Sequence, residues 1–174
     1  MTHDEPGRLA IRPIGREDAP LIERLWQLYG HDMSQFRGVL PNADGLYRLG
    51  RLEGYLADPD TIPGCLALLD GAPAAFAFVM YPSGPTRHMG DFFVVRAARR
   101  AGVGHRLAHD VIERYPGPWE IAFQDDNPGA PQFWKRVVTD IVGDAWREEW
   151  RAVPDKPQVA PDHWLVFDTR ATAG

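Results

Sequence analysis

At 174 residues, with 44% hydrophobic and 11% aromatic side chains, the chain is long and apolar enough to bury one core. Its 24 acidic residues outnumber 19 basic ones, and the net charge of −5 argues against non-specific nucleic-acid binding, which needs basic patches. The single cysteine, Cys65, excludes an intramolecular disulfide and suits a reducing compartment.

In chain order, Met1–Pro6 has neither the basic start nor the apolar stretch of a signal peptide. Leu9 to Ile14 predicts a short strand. Glu17 to Tyr29 predicts a helix with Pro20 in its first turn and Leu21, Leu25 and Leu28 on its apolar face. Gly30 to Asn42 is rich in turn formers and predicts a loop, followed by a second helix over Leu46 to Leu56.

The periodicity then changes to that of strands. Cys65–Leu69 and Pro73–Tyr81 flank Asp70-Gly71, two residues that tolerate positive φ and predict a hairpin. Cys65 sits in the apolar part of the first of these strands and suits a buried thiol better than a nucleophile. The apolar run from Ala72 to Tyr81 is about half the ~20 residues of a membrane span, so a soluble, cytoplasmic protein is expected. After the turn Pro82-Ser83-Gly84-Pro85 comes a strand over His88 to Val95. A helix over Gly102 to Tyr115 carries Val103, Leu107, Val111 and Ile112 on one face.

Trp119 to Gln124 alternates in the period of a strand, and Ala130 to Val142 is helical up to Gly143. Ala145–Val153 and His163–Asp168 close the chain as strands around the proline-rich segment Pro154–Asp162. The order β-α-α-β-β-β-α-β-α-β-β predicts an α+β fold with a mixed sheet, in one domain over 1–174 with its core at about 9–169.

One segment carries chemistry. Asp91-Phe92-Phe93-Val94-Val95 is an apolar strand that runs into Arg96-Ala97-Ala98-Arg99-Arg100-Ala101, then Gly102-Val103-Gly104-His105-Arg106 at the head of a helix. The glycines allow close approach of a ligand to the backbone, and the first-turn N–H groups point outward with the positive end of the helix dipole. Arg99, Arg100 and Arg106 add full charges, so the segment suits a pyrophosphate. A Walker A loop would need Lys and Ser or Thr where His105 and Arg106 stand. A dinucleotide fingerprint would need Gly or Ala where Leu107 stands.

The run Arg99-x-x-Gly102-x-Gly104 resembles the R/Q-x-x-G-x-G/A signature of the GNAT acetyltransferases. A second segment strengthens the resemblance: Asn127, then Ala130 three residues on, then the aromatic pair Phe133-Trp134. The likeness covers about Asp91 to Gly143. It implies the GNAT fold, a mostly antiparallel mixed sheet splayed at a cofactor cleft with helices on both faces. It also implies acetyl-CoA as co-substrate and no metal. The backbone of Val94 and Val95 is then expected to pair with the pantetheine arm. The segment Arg99, Arg100, Ala101, Gly102, Val103, Gly104, His105 and Arg106 is expected to hold the pyrophosphate. Asn127 is expected at the pantetheine amides and Phe133 with Trp134 near the thioester. A primary amine of a small molecule or peptide would attack directly, with no nucleic acid or membrane as partner.

The proton acceptor is left between Asp91 and His88, which point to opposite faces of one strand, or a water chain. Tyr29, Asp32 and Phe36, with His31 and Gln35, crowd the loop expected to overhang the acceptor; Asp32 there either holds an ammonium group or orders a turn. His105 and His109 have the spacing of a zinc pair but lack its adjacent Glu, and suit a solvated helix face. Trp146, Trp150 and Trp164 suit packing in the core or a homodimer better than a substrate site. Many GNAT enzymes have Tyr as the second aromatic of the pair, to protonate the leaving thiolate; here it is Trp134, which cannot give up a proton near neutrality. Two other readings remain beside catalysis: a GNAT-fold acyl-CoA sensor and an unrelated phosphate-binding module.

Overall fold

A computed structural model describes residues 7–80, 85–123, 127–153, 158 and 160–172. Tyr81, the Pro82-Ser83-Gly84 part of the expected turn, Gln124 and most of the proline-rich segment lie outside the described residues. The strands are β1 (Leu9–Pro13), β2 (Gly64–Leu69), β3 (Ala72–Met80), β4 (Arg87–Val94), β5 (Pro118–Phe123), β6 (Trp146–Arg151) and β7 (Asp162–Asp168). The α-helices are α1 (Ala19–Arg37), α2 (Arg51–Ala57), α3 (Val103–Arg114) and α4 (Gly129–Val142). The strands hydrogen-bond in the order β1-β2-β3-β4-β5-β7-β6. Pairing is antiparallel at β1–β2, β2–β3, β5–β7 and β6–β7 and parallel at β4–β5, the mixed sheet that the element order predicts.

Contacts group the chain into two compact units, the first made of Met1–Phe78 and Asp91–Leu107. Its β2–β3 hairpin turns through Asp70 (φ 51°) and Gly71 (φ 82°), between the paired residues Leu69 and Ala72. Two consecutive positive φ values match the twist of the flanking strands, as expected from the Asp-Gly pair. Cys65 is buried within β2.

Helix α1 runs eight residues past the predicted end at Tyr29 and stops at Gly38, whose φ of 61° closes it with an N–H bond to the Ser34 carbonyl. Gly30 therefore does not break the helix. A Cβ there would stand 2.7 Å from the Tyr47 side chain, so this glycine serves close packing. The buried stripe of α1 is Ile22, Leu25, Trp26 and Tyr29, an i, i+3, i+4, i+7 pattern, whereas Leu28 is half exposed. The expected Leu21-Leu25-Leu28 face is corrected accordingly. Helix α2 begins five residues later than predicted, because Gly50 precedes it at φ 54° in a non-helical conformation.

The core of this unit is aromatic. Trp26 stacks on Phe76 at 5.8 Å, Tyr55 on Phe78 at 4.5 Å, and Phe93 leans on Phe76 at 5.6 Å. At its margin, Arg12 grips Asp18 through two bonds of 2.6 and 2.7 Å, and the Gly15 N–H adds a third at 2.8 Å. The Arg12 bonds hold the Asp18 carboxyl below its ordinary 3.8 against the opposing effect of burial. Asp18→Asn is expected to cost about 1–2 kcal/mol in denaturant melts near neutrality, at the low end because Arg12 is partly solvated. A depressed carboxyl stabilises the fold above its unfolded value and loses that contribution as pH falls. The gap between parent and variant should thus be constant from neutrality to about pH 5 and close below about pH 4.

The second unit comprises Val79–Gly90 and Ala108–Gly174. Arg87 to Met89 of β4 pair in parallel with Trp119 to Ile121 of β5. Strand β5 buries Trp119, Ile121 and Phe123, the alternation expected from its sequence, and β7 buries His163, Leu165 and Phe167. Val111 and Ile112 of α3 and Val137, Val138 and Val142 of α4 complete this core. Gly143, at φ 59°, ends α4 where the sequence places its stop. No helix among the described residues is long and apolar enough to cross a membrane.

Candidate functional site

Strand β4 carries the first group of candidate residues. Met89, Asp91 and Phe93 are buried while His88, Gly90 and Phe92 are less so, and Asp91 and His88 thus stand on opposite faces as the period-2 rule requires. In the first unit, Asp91 is 4% exposed and accepts three hydrogen bonds. The Tyr29 hydroxyl donates to Oδ1 at 2.7 Å, the Tyr55 hydroxyl to Oδ2 at 2.8 Å, and Arg51 Nη2 to Oδ1 at 3.2 Å. Burial, reinforced by the Asp91 charge, pushes both tyrosine hydroxyls above the ordinary tyrosine range, so they stay donors across physiological pH.

Two members of this cluster, Arg51 and Tyr55, were not among the sequence candidates. They sit four residues apart on one face of α2, a spacing too common to signal a site on its own. Tyr29 was expected on an acceptor loop. It is instead a buried residue of α1 that orients the β4 carboxylate.

The second group surrounds the glycine segment. A tight turn over Arg96–Ala101 leads to Gly102 at φ 74°, and α3 begins at Val103. A side chain at Gly102 would meet no atom within 4 Å, so the surface beside this turn is open. The Arg106 N–H closes the first helical bond back to the Gly102 carbonyl at 3.1 Å, which leaves the amides of Val103 and Gly104 ahead of that rung. Arg100, Ala101 and Arg106 are exposed, His105 is half-buried, and Val103 and Gly104 are buried.

Three candidates are engaged differently from expectation. The Val95 N–H is donated to the Ala74 carbonyl at 2.8 Å, and the Val94 carbonyl accepts Arg99 Nε at 3.0 Å, so neither group is left idle for a pantetheine arm. Asp32 lies on α1, not on a loop, and its buried carboxylate holds Arg96 through bonds of 2.8 and 2.9 Å and Arg99 through Nη2. A carboxylate committed to two guanidinium groups is not a receptor for an acceptor ammonium. Phe36 is half-buried in the last turn of α1, again on the helix and not on a loop.

In the second unit, His88 Nε2 pairs with Glu120 Oε2 at 2.9 Å, and Arg151 binds the same carboxylate through both terminal nitrogens at 2.8 and 2.9 Å. Arg151 also lies 4.6 Å over the ring of Trp164. Trp150 is 59% exposed and stacks on buried His163 at 4.5 Å. Asn127 precedes α4, its carbonyl accepting the Ala130 N–H at 2.9 Å. Phe133 and Trp134 meet edge to face at 4.9 Å, but they differ in exposure: Phe133 is half-buried and Trp134 is 6% exposed. Trp134 is therefore a core residue first. Trp134→Ala is expected to lose about 3–5 kcal/mol of stability by chemical denaturation, whereas Trp134→Phe should stay folded and keep most activity.

His105 and His109 are half-buried on α3, and His109 Nδ1 pairs with Glu113 at 3.2 Å. Among the described residues no group of three His, Cys, Asp or Glu side chains is arranged to hold a metal ion.

Comparison with known proteins places this geometry. Residues 22–138 match the model of the Acetyltransferase (GNAT) family. A GNAT-family acetyltransferase from Staphylococcus aureus Mu50 superposes with a TM-score of 0.66 at 14% identity, covering 93% of this chain and 99% of that one. A ribosomal-protein-alanine N-acetyltransferase from Brucella melitensis gives 0.62 at 16% identity, covering 91% and 99%. The protein yncA from Salmonella typhimurium, with its cofactor acetyl-CoA, gives 0.64 at 10% identity, covering 93% and 94%. Comparison with curated proteins finds no match. At such identities the solved structures establish the fold, and the family match, over two-thirds of the chain, establishes the lineage: the chain belongs to the GNAT acetyltransferase family.

Proposed function

We propose that this chain, read as one domain over 1–174, is a cytoplasmic acetyl-CoA-dependent N-acetyltransferase that acts on a primary amine of a small molecule or peptide. The observation that carries this reading is the Arg99-x-x-Gly102-x-Gly104 turn at the head of α3. Gly102 there adopts positive φ beside open space, and Arg100 and Arg106 are exposed on either side. These features fit a pyrophosphate, with the backbone from Gly102 to Arg106 as the cradle and the two arginines as its charges. Asn127 is assigned to the pantetheine amides, and Phe133 with Trp134 to the thioester end. When bound, acetyl-CoA supplies a thioester carbonyl to a neutral amine.

The chain's own part in the chemistry is positioning and proton removal. Asp91 is the acceptor of the amine proton, directly or through one of the two tyrosine hydroxyls that donate to it. In a relay, a hydroxyl oxygen takes the amine proton as its own proton passes to Asp91. His88, already paired with Glu120, is the weaker candidate.

The test is binding followed by turnover. CoA at about 100 times its Kd should raise stability by about 2.7 kcal/mol in melting experiments, with no matching shift from NAD or ATP. Acetyl-CoA-dependent thiol release with an amine panel should then identify an acceptor. Stabilisation by CoA with no release on any amine would favour the sensor reading.

The pH profile is a separate expectation. Trp134 cannot ionise as an acid, and Tyr29 and Tyr55 are held protonated beyond the ordinary range by burial and Asp91. Thus kcat should rise through the base and show no fall near pH ~10, the ordinary tyrosine value. A fall there that persists in Trp134→Phe would assign an acid role to another tyrosine, Tyr81 among them.

A further inference from the structure

We infer that Asp32 is a positioning residue of the phosphate cradle, and that Arg99 acts through Asp32 and the Val94 carbonyl and not as a direct phosphate ligand. The inference rests on the acetyl-CoA reading above and refines it. The signature arginine would ordinarily be counted among the charges that meet the pyrophosphate. Here its guanidinium is committed inward twice: Nε donates to the Val94 carbonyl at 3.0 Å and Nη2 to Asp32. Arg96, at the start of the same turn, donates to the second oxygen of Asp32 at 2.9 Å.

One buried carboxylate on α1 thus ties down the first and fourth residues of the turn over Arg96–Ala101. Asp32 is 6% exposed, and the two guanidinium groups offset the cost of burying its charge. Arg99 closes the same turn onto the last residue of β4. The segment between the strand and Gly102 is therefore braced from one side by α1 and from the other by β4; all four arginines of the segment keep exposed surface, but Arg96 and Arg99 are paired with Asp32. The division of labour among four arginines follows: Arg96 and Arg99 set the shape, and Arg100 and Arg106 supply charge to the ligand.

The two assignments of Arg99 predict opposite signs. If Arg99 met phosphate directly, Asp32 would compete with that phosphate for it, and removing the Asp32 charge would tighten CoA binding. If Asp32 braces the turn, the same change loosens the cradle and weakens binding even though net charge becomes more favourable for a polyanion.

The experiment is calorimetric titration of the whole chain with CoA at two ionic strengths, with melting curves for every variant. Asp32→Asn is expected to weaken CoA binding about tenfold, and Asp32→Asn with Arg99→Gln is expected to be little worse than either alone, because they share one interaction. KM for acetyl-CoA should rise with kcat at saturation nearly unchanged. Arg100→Gln and Arg106→Gln should each flatten the dependence of affinity on salt, whereas Arg99→Gln should weaken binding with the parent's salt dependence. Asp32→Glu should recover part of the affinity.

Tighter binding by Asp32→Asn, or a flattened salt dependence in Arg99→Gln, overturns the inference while leaving the acetyl-CoA reading intact. Failure of the parent itself to bind CoA overturns both. The Arg99 arm keeps Asp32 in place, so it decides the question even if Asp32→Asn does not fold.

Discussion

Asp91→Asn is expected to lower kcat by about 10²- to 10⁴-fold while acetyl-CoA affinity changes little. Tyr29, Tyr55 and Arg51 all donate to Asp91, and the cluster is buried against Trp26, Phe76, Phe78 and Phe93. Asparagine keeps the shape of the group and one acceptor oxygen but cannot take a proton from an amine. The variant is also expected to lose some stability, because an amide replaces a charged acceptor facing three donors. Melting curves must therefore accompany the kinetics, which are compared at a temperature where both proteins are folded. Tyr29→Phe and Tyr55→Phe separate a direct route from a relay. A relay through one hydroxyl makes that variant as slow as Asp91→Asn, and direct transfer makes both much milder. His88→Ala should be mild as well, since its Nε2 is held by Glu120. A silent Asp91→Asn with an inactive His88→Ala would reverse the assignment, and little effect from either would point to water as the proton acceptor.

The second large effect is expected at Gly104. Gly104→Val should weaken CoA binding at least ~30-fold, about 2 kcal/mol. Gly104 is buried within the first turn of α3, two residues after Gly102 turns the chain at φ 74°. A branched side chain there must displace what packs around the turn or project toward the ligand, and both outcomes move the amides away from the pyrophosphate. Helix propensity adds no obstacle, since valine is no worse than glycine in a helix. Gly104→Ala provides the graded control and should fall between parent and Val. Parent-like CoA binding by a folded Gly104→Val protein would place the pyrophosphate elsewhere.

Several features of the chain were legible without tertiary information, for reasons that are local. The Asp70-Gly71 pair specifies its hairpin because both residues tolerate the positive φ that a two-residue turn demands. The alternation of β4 puts Asp91 and His88 on opposite faces because the pleat has a period of two. The run from Arg99 to Gly104 announces an open glycine turn at the head of a helix because its glycines and the helix start are adjacent in sequence. The stop of α4 at Gly143 is local in the same way.

Other features depend on contacts between distant residues and were misjudged from local signals. Gly30 and its polar neighbours suggest a loop, yet α1 continues through them, and the glycine is there because Tyr47 occupies the space a side chain at Gly30 would fill. That continuation sets Asp32 on a helix that faces Arg96 and Arg99, sixty-four and sixty-seven residues away, and removes it from the acceptor candidates. Arg51 and Tyr55 reach Asp91 across forty and thirty-six residues, and Trp134 turns inward while Phe133 beside it stays partly open. Sequence by itself determined the backbone signals, meaning the β2–β3 turn, strand alternation, the stop of α4 and the glycine turn at the head of α3, because each is set by the conformational preferences of a few adjacent residues. Tertiary structure alone decided which charges are committed to one another. A carboxylate and a guanidinium read the same in sequence whether exposed or buried, and only packing brings the partner that settles what each can do.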